Sequence, residues 1–306
     1  MIWPRPLREG DTVALIAPSG AISDREKLPQ IVQKIESYGY RVQVYESCRA
    51  RYGYLSGGDA LRADDFNRAF SDDAVSGIFC LRGGYGTTRI LDRVDFSLAA
   101  KHPKVFLGYS DITALHAGCN AQGLVTFHGP MPAKWIDEDW DGSLSEQSLM
   151  PLLTQGAIGA FSPLEGIGGA RASGILTGGN LTLVDALIGT KWDVDVRRKI
   201  LFLEDVDEAI YRIDRMLTHL RLAGKFDDCA GIVFGTFTNC ENEYEDRALL
   251  FDQVIEDIVV PCGKPILRYL QAGHCMPSYT LPLGASCEID AATGILSLNK
   301  PTGFFV

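Results

Sequence analysis

The feature that most restricts this chain is a rhythm between Val13 and Pro130, where short apolar runs alternate with longer amphipathic stretches. Strand-sized runs that are apolar throughout belong to parallel sheets covered on both faces, and the amphipathic stretches between them are the crossover helices. Val13-Ala14-Leu15-Ile16-Ala17 reads as a buried strand ended by Pro18-Ser19-Gly20. Leu28, Ile31, Val32 and Ile35 recur at helical spacing, Gly39 stops that helix, and Arg41–Tyr45 is the next strand. The cycle continues with a helix over Asp59–Phe70, a strand Ile78–Leu81, a helix near Thr87–Arg93, a strand Val105–Gly108, a helix Ile112–Ala121 and a strand Leu124–Phe127. Five strands and four helices in this order predict an α/β fold with a doubly wound parallel sheet of the flavodoxin or amidotransferase-like kind.

The rhythm breaks at the acidic stretch Trp135-Ile136-Asp137-Glu138-Asp139-Trp140-Asp141-Gly142, and residues 163–174 are rich in Gly without periodicity. With 306 residues, two domains fit the usual domain size. The expected division is an N-terminal α/β domain over 1–135, a connection over 136–170 and a smaller mixed α/β domain over 171–306. In the latter, Leu201–Leu203 and Gly231–Phe234 read as strands and Ile210–Leu222 as a helix. Cys287–Asp290 and Ile295–Leu298 read as a hairpin turning at Ala291–Gly294.

Charge narrows the partners. Lys and Arg number 29 against 39 Asp and Glu, a net charge of −10, and no basic block occurs, so neither nucleic acid nor an anionic membrane is expected. The eight Cys form no C-x-x-C pair and several lie in apolar runs, as buried thiols in a reducing compartment do. The proline-broken N-terminus lacks the apolar core of a secretory signal and no run is long enough to span a membrane, which predicts a cytoplasmic protein. No His or Cys pairing has zinc-like spacing and no Asp-rich loop matches a calcium site, so neither a metal nor another cofactor is expected.

Ligands of open α/β sheets gather at the carboxyl ends of the strands. There, Arg82-Gly83-Gly84-Tyr85-Gly86-Thr87-Thr88 is either a tight strand-to-helix turn or a nest of N–H groups for an anion. It is no dinucleotide fingerprint, whose third glycine would fall at Arg89, and no Gly-Lys-Ser/Thr follows it. Ser110, in Gly108-Tyr109-Ser110-Asp111-Ile112-Thr113, is either a nucleophile exposed on a sharp strand-to-helix turn or an N-cap. His274, in a loop bounded by Gly273 and Pro277, is the best placed of five histidines to act as a base. Glu204 opens the acidic group Glu204-Asp205-Val206-Asp207-Glu208, which on its own reads best as a solvated cap for the next helix.

Taken together the motifs resemble the LD-carboxypeptidase family, which includes muramoyl-tetrapeptide carboxypeptidases and microcin C self-immunity peptidases. The resemblance runs through Leu15–Gly20, Arg82–Gly86, Gly108–Asp111, Thr177–Leu181, Leu203–Asp205, Tyr211–Leu217, Gly273-His274 and Thr280–Gly284 in that order. It implies a Ser110–His274–Glu204 triad, with oxyanion donors from the backbone N–H groups of Asp111 and Gly84, or Gly83 in the latter's place. It implies hydrolysis of an L,D peptide bond that releases terminal D-Ala from a murein tetrapeptide, and a homodimer. Arg82 and Arg212 are the candidates for the substrate carboxylate, Arg212 being equally able to pair with the acidic group before it. Two other readings remain: an immunity peptidase acting on aminoacyl-adenylate-like amides, and a non-catalytic flavodoxin-like binding protein. If the domain division holds, Ser110 and the Glu204–His274 pair are contributed by different domains.

Overall fold

The computed structural model describes residues 1–240 and 249–299. Two compact units are found, one comprising Met1–Ala157 with Pro277–Gly284, the other Ile158–Met276 with the segment from Ala285.

The first unit follows the expected rhythm: β1 (Thr12–Ile16), α1 (Lys27–Glu36), β2 (Arg41–Val44), α2 (Asp59–Ser71), β3 (Val75–Cys80), α3 (Ser97–Lys101), β4 (Val105–Gly108), α4 (Thr113–Ala121), β5 (Thr126–His128) and α5 (Leu144–Gln155). Neighbours run parallel in the order β2-β1-β3-β4-β5, so the order reverses between β1 and β3, and the turns after those strands flank the switch point where such sheets bind ligands. Val13, Leu15, Ile16, Phe79 and Phe106 are fully buried, as central strands covered on both faces require.

The second unit holds β6 (Ala160–Phe161), β7 (Glu165–Ile167), β8 (Arg171–Asn180), α6 (Leu181–Leu187), β9 (Ile200–Val206), α7 (Ile210–Leu222), α8 (Lys225–Asp228), β10 (Gly231–Thr238), α9 (Phe251–Val254) and β11 (Ile266–Arg268). The chain then re-enters the first unit as β12 (Leu281–Leu283) and returns as the hairpin β13 (Ser286–Asp290) and β14 (Ile295–Leu298). The second sheet is mixed, in the order β6-β14-β13-β8-β9-β10-β11-β7, with β8 to β11 parallel and the flanking strands antiparallel. A two-domain α/β architecture with one mostly parallel and one mixed sheet is the fold class the sequence predicts.

Three local expectations differ from the structure. The helix expected near Thr87–Arg93 is a single 3-10 turn, Thr87–Ile90, and the α-helix starts at Ser97, where Asp95 Oδ1 accepts the Ser97 N–H at 3.0 Å. The stretch 136–170, expected as a connection, contains α5, started by Ser143 whose Oγ accepts the Glu146 N–H and stopped by Gly156 in the left-handed conformation. Its acidic approach is anchored by Trp135 and Trp140, both buried and stacked with ring centroids 5.5 Å apart. Finally, residues 277–284, expected within the C-terminal domain, pair as β12 antiparallel to β5 at the margin of the first sheet. Pro282 has no N–H to give to a ladder, and a strand at the sheet edge is where that is tolerated.

Candidate active site

In the first unit β4 delivers the chain to Ser110 through extended Tyr109, and Ser110 itself takes φ 65°. A non-glycine residue there is strained, and such strain persists only where the surroundings over-determine it. The Ser110 side chain caps nothing: the turn Ser110–Ile112 and α4 after it both start without a side-chain cap. That removes the N-cap alternative and leaves a serine on a sharp turn at the carboxyl edge of the sheet.

The glycine turn after β3 is pressed against this serine. A Cβ on Gly83 would stand 2.9 Å from Ser110 Cβ and 3.0 Å from its Oγ, so only glycine lets the backbone approach so closely. Gly84 and Gly86 take φ 126° and 130°, conformations that point successive peptide groups in directions an L residue rarely offers. The turn after β1 packs against the same segment, with the Gly20 N–H donating to Gly83 O at 3.2 Å. Arg82 is committed within this region, its Nε donating to Gly83 O at 3.2 Å and Nη1 to Ala21 O at 3.1 Å.

Five side chains, those of Ser19, Arg62, Thr87, Asp111 and His116, brace these turns, a part the sequence does not show for any of them. Asp111 is buried and its Oδ2 accepts from Ser19 Oγ (2.6 Å) and the Thr87 N–H (2.9 Å), while Thr87 Oγ1 donates to Asp111 O at 2.6 Å. Burial pushes the Asp111 carboxyl above the ordinary carboxylate range, against the hydrogen bonds from Ser19, Thr87 and Gly86 that favour its charged form. Arg62, fully buried on α2, donates from Nη1 to Pro18 O (2.6 Å) and Gly86 O (2.8 Å). Behind the serine turn, His116 Nε2 lies 2.9 Å from Gly108 O, and complete burial pushes this imidazole down to about 4.

In the second unit Glu204 lies within β9 and is fully buried, contrary to the solvated cap that its acidic neighbours suggest. The strand continues past it to Val206 between β8, with Asn180 opposite Glu204, and β10, and the side chain lies against Gly235 and Gly273. His274 comes from the loop after β11. The Thr236 N–H donates to Ala272 O (3.0 Å) and the Leu270 N–H to Phe234 O (3.1 Å), holding that loop along β10. Glu204 Oε2 then stands 2.7 Å from His274 Nδ1 and accepts the His274 backbone N–H at 3.1 Å. Gly273, at φ 114°, makes this approach possible: a Cβ there would lie 2.5 Å from Glu204 Oε2.

Burial of the imidazole works against its charged form, and the bonded Glu204 carboxylate, helped by the charges of Asp205 and Asp207, outweighs it. His274 therefore titrates above the ordinary histidine value. Asp205 plays a different part. It is buried and accepts from Asn180 Nδ2, the Thr182 N–H and Thr182 Oγ1 at 2.8–2.9 Å, tying the start of α6 to β9. Arg212, on α7, is half exposed, and its guanidinium meets Tyr211 Oη at 3.1 Å and Glu208 Oε2 at 3.5 Å. Among the described residues no group of three or more His, Cys, Asp or Glu could hold a metal ion, and no helix is long and apolar enough to cross a membrane.

Within the first unit, then, the structure brings together Ser110, Gly83, Gly84, Asp111 and Arg82; within the second it joins Glu204 to His274 and leaves Arg212 on a helix surface. Comparison with known proteins completes this picture. The LD-carboxypeptidase N-terminal domain model matches residues 13–129 and the LD-carboxypeptidase C-terminal domain model residues 173–289. A Bacillus subtilis protein named "Probable murein peptide carboxypeptidase" is 41% identical, covering 94% of this chain and 92% of its own length. The murein tetrapeptide carboxypeptidase of Pseudomonas aeruginosa is 30% identical over 91% of this chain and 92% of its own. The crystal structure of muramoyltetrapeptide carboxypeptidase from Oxalobacter formigenes matches with TM-score 0.82 and 28% identity, covering 95% of this chain and 100% of that one. MccF in complex with glutamyl sulfamoyl guanosine shares the fold, with TM-score 0.89 at 23% identity over 98% of this chain and 99% of that one.

Fold and matching domain pair define a two-domain α/β peptidase. The chain belongs to the LD-carboxypeptidase family.

Proposed function

We propose that this protein is a serine carboxypeptidase that hydrolyses an L,D peptide bond and releases terminal D-Ala from murein tetrapeptide. The observation that carries the reading is the buried Glu204 carboxylate set 2.7 Å from His274 Nδ1, an arrangement that fixes one imidazole tautomer and leaves Nε2 to act as the base. The names of the relatives, murein peptide and murein tetrapeptide carboxypeptidases, support the substrate class.

In the proposed reaction Ser110 Oγ attacks the scissile carbonyl carbon while His274 Nε2 takes the hydroxyl proton. The carbonyl π pair moves onto oxygen, and the oxyanion is met by the backbone N–H groups of Asp111 and Gly84, or Gly83 in the latter's place. Collapse of the tetrahedral adduct breaks the C–N bond. His274 returns its proton to the departing amine of D-Ala, leaving an acyl ester on Ser110. Water, deprotonated by His274, repeats the addition, and its collapse frees the shortened peptide and restores the serine. Glu204 stabilises the imidazolium formed in each half.

The substrate's free carboxylate calls for a cation, and Arg82 and Arg212 are the candidates. All eight cysteines are free, which suits a reducing setting, and we assign the protein to the cytoplasm.

The test is incubation with L-Ala-γ-D-Glu-meso-diaminopimelate-D-Ala, followed by mass spectrometry, with Ser110→Ala in parallel. Loss of one D-Ala with wild type and none with the folded variant is the expected result. Release by both removes Ser110 as nucleophile. Release by neither removes the murein substrate, and adenylate-type amides are then tried.

A further inference from the structure

A buried carboxylate that lies one residue past the proposed nucleophile, and that the reaction above does not use, marks where the three turns of the first unit meet. Past the ends of the strands the sheet ladder no longer spaces these turns, and their registration depends on a few specific bonds. Between the turns after β1 and β3 these are the Gly20 N–H to Gly83 O bond and the Arg62 bonds to Pro18 O and Gly86 O. Neither reaches the Ser110 turn. The Asp111 residue does: its Oδ2 accepts Ser19 Oγ from the β1 turn at 2.6 Å and the Thr87 N–H from the β3 turn at 2.9 Å, and its backbone O accepts Thr87 Oγ1 at 2.6 Å.

We propose that the Asp111 carboxylate, with Ser19, is a positioning device for acyl transfer, fixing the β3 turn against the Ser110 turn so that the Gly84 and Asp111 N–H groups hold their separation across Ser110 Oγ. The inference rests on the serine-hydrolase reading and adds to it a role for two side chains.

Three observations make the clamp more than packing. Asp111 is 1% exposed and, among the described residues, no cation bonds its carboxylate, so the site bears the cost of an ionisable group where an apolar side chain would fill the volume more cheaply. What the carboxylate offers instead is an acceptor for several donors arriving from two directions. The turn it holds contains Ser110 at φ 65°, which slack would let relax. And the β3 backbone is so close to the serine, with a Cβ on Gly83 2.9 Å from Ser110 Cβ, that any drift of the β3 turn changes the donor geometry directly. Displacing reacting groups by about 1 Å costs on the order of 10²-fold in rate.

The experiment uses the full chain carrying Ser19→Ala, Asp111→Asn or both, measuring kcat and KM on the tetrapeptide, denaturation midpoints, and the rate at which a fluorophosphonate labels Ser110. A positioning role predicts that Ser19→Ala, which leaves the carboxylate in place, lowers kcat roughly 10- to 100-fold with KM within about twofold. It also predicts that the double variant loses less than the product of the two single losses, because the Ser19–Asp111 bond is common to both substitutions. Should Asp111→Asn fail to fold, Ser19→Ala alone decides. A folded Ser19→Ala with wild-type kcat, or a loss confined to KM, overturns the proposal. If the wild type releases no D-Ala, the functional reading has failed, and the clamp is judged on labelling, which needs nucleophile and oxyanion donors but no peptide. Labelling slowed by Ser19→Ala then upholds it, and equal rates or an unlabelled wild-type Ser110 overturn it.

Discussion

Glu204 Oε2 receives two N–H groups of one residue, the backbone of His274 at 3.1 Å and its ring Nδ1 at 2.7 Å. The double contact fixes where the histidine starts and which way its ring faces, and it depends on the missing side chain of Gly273 between them and β9. A carboxylate fully out of water holds the imidazolium more strongly than a solvated one.

Replacing Glu204 by Gln keeps the size and removes the charge. Burial of His274, which disfavours imidazolium, then acts unopposed by its principal partner, so the histidine titrates lower than in wild type. The base is the neutral form, so the acid limb of kcat/KM moves to lower pH. The plateau falls about 10²- to 10⁴-fold as imidazolium stabilisation and tautomer control are lost. A pH–rate profile of wild type and Glu204→Gln checks both; a limb that moves up, or a plateau within a few-fold of wild type, contradicts the assigned role.

How far the sequence reaches is clearest at these two positions. The parallel sheet of the first unit is legible because its strands, such as Val13–Ile16, are apolar throughout, and the hairpin β13–β14 because turn residues interrupt two alternating runs. The helix Ile210–Leu222 is legible from one apolar face, Ile210, Ile213, Leu217 and Leu220. Glu204 is not, because an acidic run looks the same whether solvated or enclosed, and what covers its side chain, Gly235 and the Gly273-His274 loop, lies 31 to 70 residues further on. Motif order, not periodicity, singled it out. Trp135 and Trp140 were hidden by the acids around them, and β12 by its distance along the chain from the β5 edge it joins. Ser19 and the Asp111 side chain carry no local pattern, since their partners lie 24 to 92 residues away, and Arg62 shows locally only its pair with Asp59, while the bonds that brace the turns reach 24 and 44 residues.

Gly83 tests the oxyanion turn without replacing a polar side chain. Its backbone conformation is open to any residue, so Gly83→Ala brings no φ penalty; its cost is a methyl group 2.9 Å from Ser110 Cβ and 3.0 Å from Oγ. The expected outcome is a kcat at least about 10²-fold lower, with a stability loss of about 1–3 kcal/mol, the usual cost of local overpacking. Steady-state kinetics beside urea denaturation checks it. Wild-type turnover in a folded Gly83→Ala protein places the reacting groups elsewhere.

Arg212 and Arg82 are separable as carboxylate partners. Arg82 donates to Gly83 O and Ala21 O, so its removal disturbs the glycine turn and confounds any kinetic effect. Arg212 is half exposed and among the described residues is tied to Tyr211 and Glu208, and an exposed i,i+4 pair contributes little to stability. Arg212→Ala is therefore the clean experiment. If Arg212 binds the carboxylate, KM for the tetrapeptide rises about tenfold or more while kcat and the melting temperature hold; an unchanged KM removes Arg212 and leaves Arg82.

His116 supplies a prediction about stability that is independent of the reaction. Its folded value, about 4, lies below the ordinary 6.5 because the ring is wholly buried, so the native state holds it neutral while the unfolded chain protonates it. A depressed value contributes stability that is full above about 6.5 and is lost as pH falls toward about 4. At about 1.4 kcal/mol per pH unit this amounts to ~3 kcal/mol across the window. His116→Gln retains an amide that can donate to Gly108 O and has no proton to gain. Denaturant unfolding at pH 7 and pH 5 should show wild type losing about 2 kcal/mol more than the variant between the two. Equal losses would mean that another group drives the acid sensitivity of this unit and that the imidazole behind the Ser110 turn is charged or solvated in the folded protein.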